Sequence, residues 1–259
     1  AGSIRMKNVK NIMLKNILDA CGGAVGFWTV GYAFAYGGSD ASKITFIGNA
    51  DFALLNVHDG ASLIGWFFQF AFAATAATIV AGTVAERCKF EAYIAYSLML
   101  TGFVYPVVVH SIWSSSGFLS AFTDNKFFGS GMIDFAGSGV VHLTGGIAGL
   151  AGAVICGPRL GRFSTIRTGG DFDVKPNQIS PGLVDGYKQV YQKFMSKEWD
   201  ILRVHEFVKS YNEKLDNKNF SSHSPQQAVL GTLLLWLGWL CFNAGSSLGL
   251  VSADGDAIY

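Results

Sequence analysis

Residues 134–163 read DFAGSGVVHLTGGIAGLAGAVICGPRLGRF, and the solvent around this stretch decides the fold. An Asp opens it, a His follows eight residues on, and no other charge intervenes before Arg159. In a water-soluble core both groups would be desolvated with nothing nearby to offset the penalty. As a membrane segment the run is long enough, since about 20 helical residues cross a hydrocarbon core. Working outward, the same pattern recurs. There is no charged residue from Gly60 to Ala85, from Ala92 to Thr123, or from Phe220 to Ala253, and Asp134 is the only one between Lys126 and Arg159. Over 259 residues, 50% are hydrophobic and 14% charged, where a soluble domain has about 25% charged.

These windows predict spans near 62–85, 92–113, 132–156 and 228–251. A fifth lies near 14–37, with Lys15 at its edge and Asp19 one turn in. Gly, Ala and aromatics fill the segments without strand-like alternation. In lipid only helices or closed barrels satisfy the backbone, so the expected class is all-α, a polytopic transmembrane helix bundle. A net charge of +1 gives no footing for nucleic acid. Cys21, Cys88, Cys156 and Cys241 are scattered without metal-ligand spacing, so neither metal nor cofactor is expected. The start, AGSIRMKNVKN, has no apolar run before its charges, and no cleavable signal peptide is expected there.

Loop charge sets the orientation. Arg5, Lys7, Lys10 and Lys15 precede the first span, Arg87 and Lys89 separate the second and third, and Arg159, Arg162 and Arg167 follow the fourth. Loops 38–61 and 114–131 hold one Lys each beside acidic residues. Basic loops face the cytoplasm, which places the N-terminus inside and ADGDAIY outside. Three regions follow: 1–163 with four spans, 164–222, and 223–259 with the fifth span and an outer tail. Segment 164–222 is charged, with Tyr187, Val190, Tyr191 and Phe194 at helical spacing. It reads as a cytoplasmic amphipathic helical insert, either a docking or regulatory element or a solvated helical pair packed on the membrane domain.

Asp134 and His142 are about 12 Å apart along a helix and project to one side at different depths. Ionisable groups inside such a helix face the bundle interior or a cavity. Asp134 has a second reading as a helix cap, where a carboxylate suits exposed N–H groups, and it can cap and still shape a site. His142 reads either as pore-lining or as a satisfied core histidine. Phe68 and Phe72 lie one turn apart, as do Phe242 and Ser246, with Trp239 near; Trp113 closes the third span. Singly, such aromatics are packing or interfacial anchors. Together they offer rings and a hydroxyl, a means of holding a cation without a carboxylate.

Five stretches carry a resemblance: KNVKNIMLKN, FAATAATIVAGTVAERCKF, TGFVYPVVVHSIW, DFAGSGVVHLTGGIAGLAGA with GPRLGRF, and VLGTLLLWLGWLCFNAGSSL. In this order they resemble the ammonium transporter (Amt/Mep/Rh) family in its plant- and alga-like branch. They cover nearly all the chain outside 38–61 and 164–222. The resemblance implies a protein of eleven spans, homotrimeric, in the plasma membrane, passing ammonium or ammonia. It further implies an outer ammonium site on Trp113, Phe72 and Ser246, organised by Asp134. Beneath it Phe72 and Phe242 stack as a gate with Phe68 lining the approach, and His142 is the first of two pore histidines. No catalytic residue is implied.

The chain supplies what resembles spans two to six of that inverted-repeat fold. The expectation is therefore a fragment of a subunit, with no residue to stand for the second pore histidine and with His142 exposed along an open groove. Two rivals stand beside transport: an ammonium sensor signalling through the insert, and a nonfunctional remnant. Segment 164–222 exceeds the family's usual loop, so its role is not inherited.

Overall fold

A computed structural model describes residues 1–159 and 220–247, together with five isolated positions at 192, 193, 196, 203 and 206. The amphipathic helices expected within 164–222 lie outside the described residues. Among the described residues, five helices are long and apolar enough to cross a membrane: α1 (Met6–Tyr36), α2 (Gly60–Val84), α3 (Phe90–Trp113), α4 (Ser138–Cys156) and α5 (Pro225–Gly245). The architecture is a polytopic helical bundle, and among the described residues extended pairing is limited to isolated bridges such as Thr45 with Gly117.

The helix ends follow from local chemistry, and three differ from the windows expected above. α1 begins at Met6 rather than near 14, because its charges find partners inside the bundle. Lys15 and Asp19 are only 1% and 2% exposed. The Lys15 ammonium lies 4.8 Å from the Tyr93 ring centre and donates to the Cys88 carbonyl at 3.3 Å. Asp19 accepts from the Tyr93 and Ser97 hydroxyls. α4 begins at Ser138 rather than 132, since its N-cap, Gly137, turns left-handed at φ 82° and the Asp134 carboxylate, three residues earlier, takes up the first amides. α5 begins at Pro225, where the missing N–H of proline is harmless, after Ser224, whose side chain accepts from the Gln227 amide.

Three helices carry a widened, π-type turn: Phe27–Gly31 in α1, Leu100–Val104 in α3 and Ser138–Leu143 in α4. Such turns cluster at functional sites. In α3 the turn precedes Pro106, which cannot donate to the carbonyl four residues back. The α1 and α3 turns pack on each other, and closely: a Cβ at Gly31 would meet the Thr101 carbonyl at 2.5 Å. A second extensive pairing joins α2 with α4. Its seam is a stripe of small residues, where Cβ atoms at Gly145, Gly149 and Gly152 would meet Ile79, Thr83 and Val84 at 2.9, 3.2 and 2.8 Å. Without a hydrophobic drive between helices in lipid, this close approach supplies the dispersion that holds them.

α5 is different: none of its residues is buried. It is held near its two ends. At the basic-loop end the His223 and Ser224 amides donate to the carbonyls of Ile4 and Gly2 at 2.8 and 3.1 Å. Towards the other end its rings reach α2 and α4, as described below.

The same basic-loop end is organised by Glu86, which follows α2 with a left-handed φ of 65°. Its carboxylate accepts from Arg5 at 3.1 Å, Asn8 at 2.7 Å and Arg159 at 2.6 Å. Burial alone would raise its pKa, but the hydrogen bonds from Asn8, Arg159 and Arg5 outweigh it and bring the value down to about 2. The Arg5 and Arg159 guanidiniums also lie 4.5 and 5.1 Å from the Phe220 ring centre.

At the opposite end the two loops without basic clusters lace together. Asp40 N donates to Ser116 Oγ at 2.6 Å, and Thr45 N to Ser116 O at 2.9 Å. Beneath them His110, fully buried, bonds the Ala35 carbonyl through Nδ1 and the Thr45 hydroxyl through Nε2.

Candidate functional site

The site is a file of aromatic rings running inward from the laced loops. Trp113 ends α3, Phe68 and Phe72 come from one face of α2, Phe242 from the last turns of α5, and His142 from the wide opening turn of α4. Trp113 and Phe72 have ring centres 5.5 Å apart at 76°, so the two rings form a corner rather than a stack. Phe72 lies 4.7 Å from Phe68 at 74° and 4.7 Å from Phe242 at 64°. Phe242 is in turn 6.2 Å from His142. Each step is an edge-to-face contact, the arrangement ring quadrupoles favour.

Above the file opens a cavity of about 720 Å³, lined among others by Tyr36, Phe68, Phe72, Trp113, Asp134 and Ser246. The expected trio of Trp113, Phe72 and Ser246 thus borders one space. The Ser246 hydroxyl donates to the Phe242 carbonyl at 2.8 Å. Its proton is engaged, so its oxygen lone pairs remain to accept from a cation in the cavity.

Asp134 borders this cavity, yet its carboxylate is turned to the backbone. Oδ1 accepts from the amides of Gly137 and Ser138 at 2.9 and 2.8 Å and from the Ser138 hydroxyl at 3.1 Å. Oδ2 accepts from the amides of Gly139 and Val140 at 2.9 and 2.7 Å. These are the donors a helix start leaves unpaired, and the negative group sits at the positive pole of α4. The Asp134 carbonyl meanwhile accepts from Trp113 Nε1 at 2.6 Å. One residue therefore caps α4 and fixes the Trp113 ring.

His142 faces inward on the far side of Phe242. Its Nδ1 is 3.1 Å from the Gly137 carbonyl. A carbonyl can only accept, so Nδ1 carries hydrogen, and in the neutral ring Nε2 offers a lone pair. The expectation of an open groove is not met. His142 is half-buried because Trp239 closes on it edge-to-face at 5.4 Å, and Phe242 covers another side. Sequence reasoning noted Trp239 only as a neighbour of Phe242 and missed this contact. It also missed Tyr36 and Gln69, whose buried oxygens have no hydrogen-bond partner among the described residues and which line the cavity. Their polar character within apolar helices was the available signal.

The arrangement offers two aromatic rings meeting at a corner and a hydroxyl oxygen beside one cavity, with packed phenyl rings beyond. A single histidine nitrogen stands behind them.

Comparison with known proteins bears on this geometry. A sequence model of the Ammonium Transporter Family matches residues 1–175 and 206–259. Putative ammonium transporter 1 member 5 of Arabidopsis thaliana is 44% identical over 248 residues, covering 95% of this chain and 40% of that protein. Ammonium transporter 1 member 2 of Oryza sativa subsp. japonica is 42% identical over 258 residues, covering 98% and 42%. The chain thus spans about two-fifths of the length of these curated relatives. Among solved structures, a chain described as a Sensor Amt Protein superposes with a TM-score of 0.65 at 30% identity, covering 98% of this chain and 50% of that one.

Proposed function

Because this chain belongs to the ammonium transporter family, we propose that the complete protein carries ammonium across a membrane. In this reading the chain described here forms the entry site and the first part of the path. The observation that carries the proposal is the unbroken ring file from Trp113 through Phe72 and Phe242 to His142, with a cavity at one end. An ammonium ion settles between the Trp113 and Phe72 rings and donates to Ser246 Oγ, exchanging water for ring faces and a hydroxyl. The Phe72–Phe242 contact resists the ion, since a desolvated charge between phenyl rings is unfavourable. Giving up a proton to water in the entry cavity removes that penalty, and the neutral amine passes when the rings move aside. His142 Nε2 then offers it a hydrogen-bond acceptor. Potassium has no proton to give and stays outside. Asp134 contributes by holding Trp113 and the α4 terminus, with its negative charge close to the entry cavity.

The wider assignments are part of the same proposal: plasma-membrane residence, basic loops and segment 164–222 in the cytoplasm, and a homotrimeric whole. Sensing through the insert is the weaker reading, because the curated relatives that align over 95% or more of the chain are described as transporters. Expression of the complete reading frame in cells lacking their own ammonium uptake tests the proposal. Saturable methylammonium uptake indifferent to potassium is expected, and His142→Ala in that protein should lower uptake or weaken discrimination against potassium. A His142→Ala protein with unchanged uptake and unchanged discrimination would reduce His142 to packing, and no uptake by a correctly localised wild type would remove the transport reading.

A further inference from the structure

We propose that Cys88 and Cys156 form a redox-responsive dithiol at the basic-loop end of the bundle, closing to an intramolecular disulfide under peroxide and fastening the end of α4 to the α2–α3 loop. The two cysteines are far apart in sequence and are brought together by the α2–α4 seam. That seam descends through Gly145, Gly149 and Gly152, with Gly152 facing Val84, and one turn further on α4 ends at Cys156. The next residues are joined directly: Arg87 Nη1 donates to the Gly157 carbonyl at 2.7 Å and Arg87 Nε to the Thr83 carbonyl at 2.6 Å. Each cysteine is thus the immediate chain neighbour of one partner in the Arg87–Gly157 bond, and Cys156 is near enough to act electrostatically on the Cys88 thiol. Both are free thiols.

Their surroundings divide the chemistry. Cys156 is exposed, whereas Cys88 is half-buried and donates its S–H to the Lys89 carbonyl at 3.3 Å. Burial pushes the Cys88 thiol up, Lys15 opposes that, and Cys156 adds to it. Cys88 therefore rests as a thiol, and the exposed sulfur meets the oxidant first. The Cys156 thiol gives its proton to solvent and the thiolate attacks one oxygen of hydrogen peroxide; the O–O bond breaks, a sulfenic acid forms, and the departing hydroxide takes up a proton to leave as water. The Cys88 sulfur then attacks the sulfenic sulfur; the S–S bond forms, the S–O bond breaks, and hydroxide leaves with the Cys88 proton as a second water. The sum is two thiols and one peroxide giving one disulfide and two waters, with two electrons passing from sulfur to oxygen. In a reducing compartment such a bond is transient and responsive rather than structural. The inference is independent of what the protein transports.

The test uses membranes bearing the full-length protein. They are treated with hydrogen peroxide, blocked with N-ethylmaleimide, digested without reductant, and analysed by mass spectrometry. The expected result is a cross-linked peptide joining Cys88 to Cys156, parallel loss of maleimide on both sulfurs, and full recovery of both after dithiothreitol. In Cys88→Ser the cross-link should vanish and Cys156 should stop at the sulfenic or sulfinic acid. Cys88 remaining fully alkylated in the wild type while Cys156 is oxidised would overturn the proposal, as would both thiols staying alkylated. Because the decisive reading is made on the wild type, it does not depend on the variant folding.

Discussion

Trp113→Leu isolates the ring that an incoming ion would meet. Trp113 does two things in the structure: it supplies one wall of the corner with Phe72 at 5.5 Å, and its Nε1 holds the Asp134 carbonyl at 2.6 Å. Loss of a cation–π wall is worth about 0.5–2 kcal/mol. At about 1.4 kcal/mol per tenfold, this corresponds to a roughly 2- to 30-fold rise in KM for methylammonium. The lost hydrogen bond is a separate quantity of about 1 kcal/mol, and it falls on stability rather than on binding. Trp113→Phe separates the two, since it keeps a ring face but discards the donor. Initial uptake rates across substrate concentration, normalised to surface protein, should therefore rank wild type, Phe and Leu in order of rising KM. Thermal midpoints should fall in both variants. A Leu variant with wild-type KM, or a Phe variant as impaired in KM as Leu, would refute the recruitment argument.

Three further outcomes follow from named contacts. Asp134→Asn keeps one acceptor oxygen but turns an NH₂ toward backbone donors, stranding up to two amides at about 1–3 kcal/mol each; a markedly lower thermal midpoint is expected, and an unchanged one would argue against the cap. Glu86 has a folded pKa of about 2 against an ordinary 4.5, so its contribution is fully present above that ordinary value and is lost as pH falls towards 2. The midpoint gap between wild type and Glu86→Gln should be flat from neutral pH down to about pH 5 and shrink below it; a gap that widens on acidification contradicts the assignment. Gly145→Val places a Cβ 2.9 Å from both the Ala76 carbonyl and the Ile79 side chain, an overpacking of about 1–3 kcal/mol. Gly146→Ala, with nothing within 4 Å, should be neutral in the same assay of folded yield, and equal losses in both would dismiss the seam.

The sequence exposed some of this and hid the rest for physical reasons. Five apolar windows between charged loops sufficed for the bundle, because lipid leaves a backbone little choice. The start of α1 was misjudged because Lys15 reads as a membrane boundary, whereas Tyr93 and the Cys88 carbonyl, both distant in sequence, receive it indoors. Asp134 could be read as a cap from its place before a Gly-rich apolar run. That Phe242 meets Phe72 could not be read from spacing, since 170 positions separate them and only a resemblance aligns them. The Trp239–His142 contact depends on how α5 leans across the bundle, and no local pattern records that. The wide turns are equally silent in composition; Pro106 alone hints at one.

The wide turn that opens α4 has a consequence for phase. A regular helix advances about 100° per residue, so every side chain on it is tied in azimuth to every other. α4 must satisfy two masters: the glycine seam from Gly145 to Gly152 is clocked to α2, while His142 is clocked to Phe242 and Trp239. The surplus residue in Ser138–Leu143 breaks the rigid gearing between them. The seam keeps its registry while the imidazole is indexed separately, like two dials on one shaft with a slip joint between. Shortening that turn by one residue would re-engage the gearing, and one of the two dials would then point the wrong way.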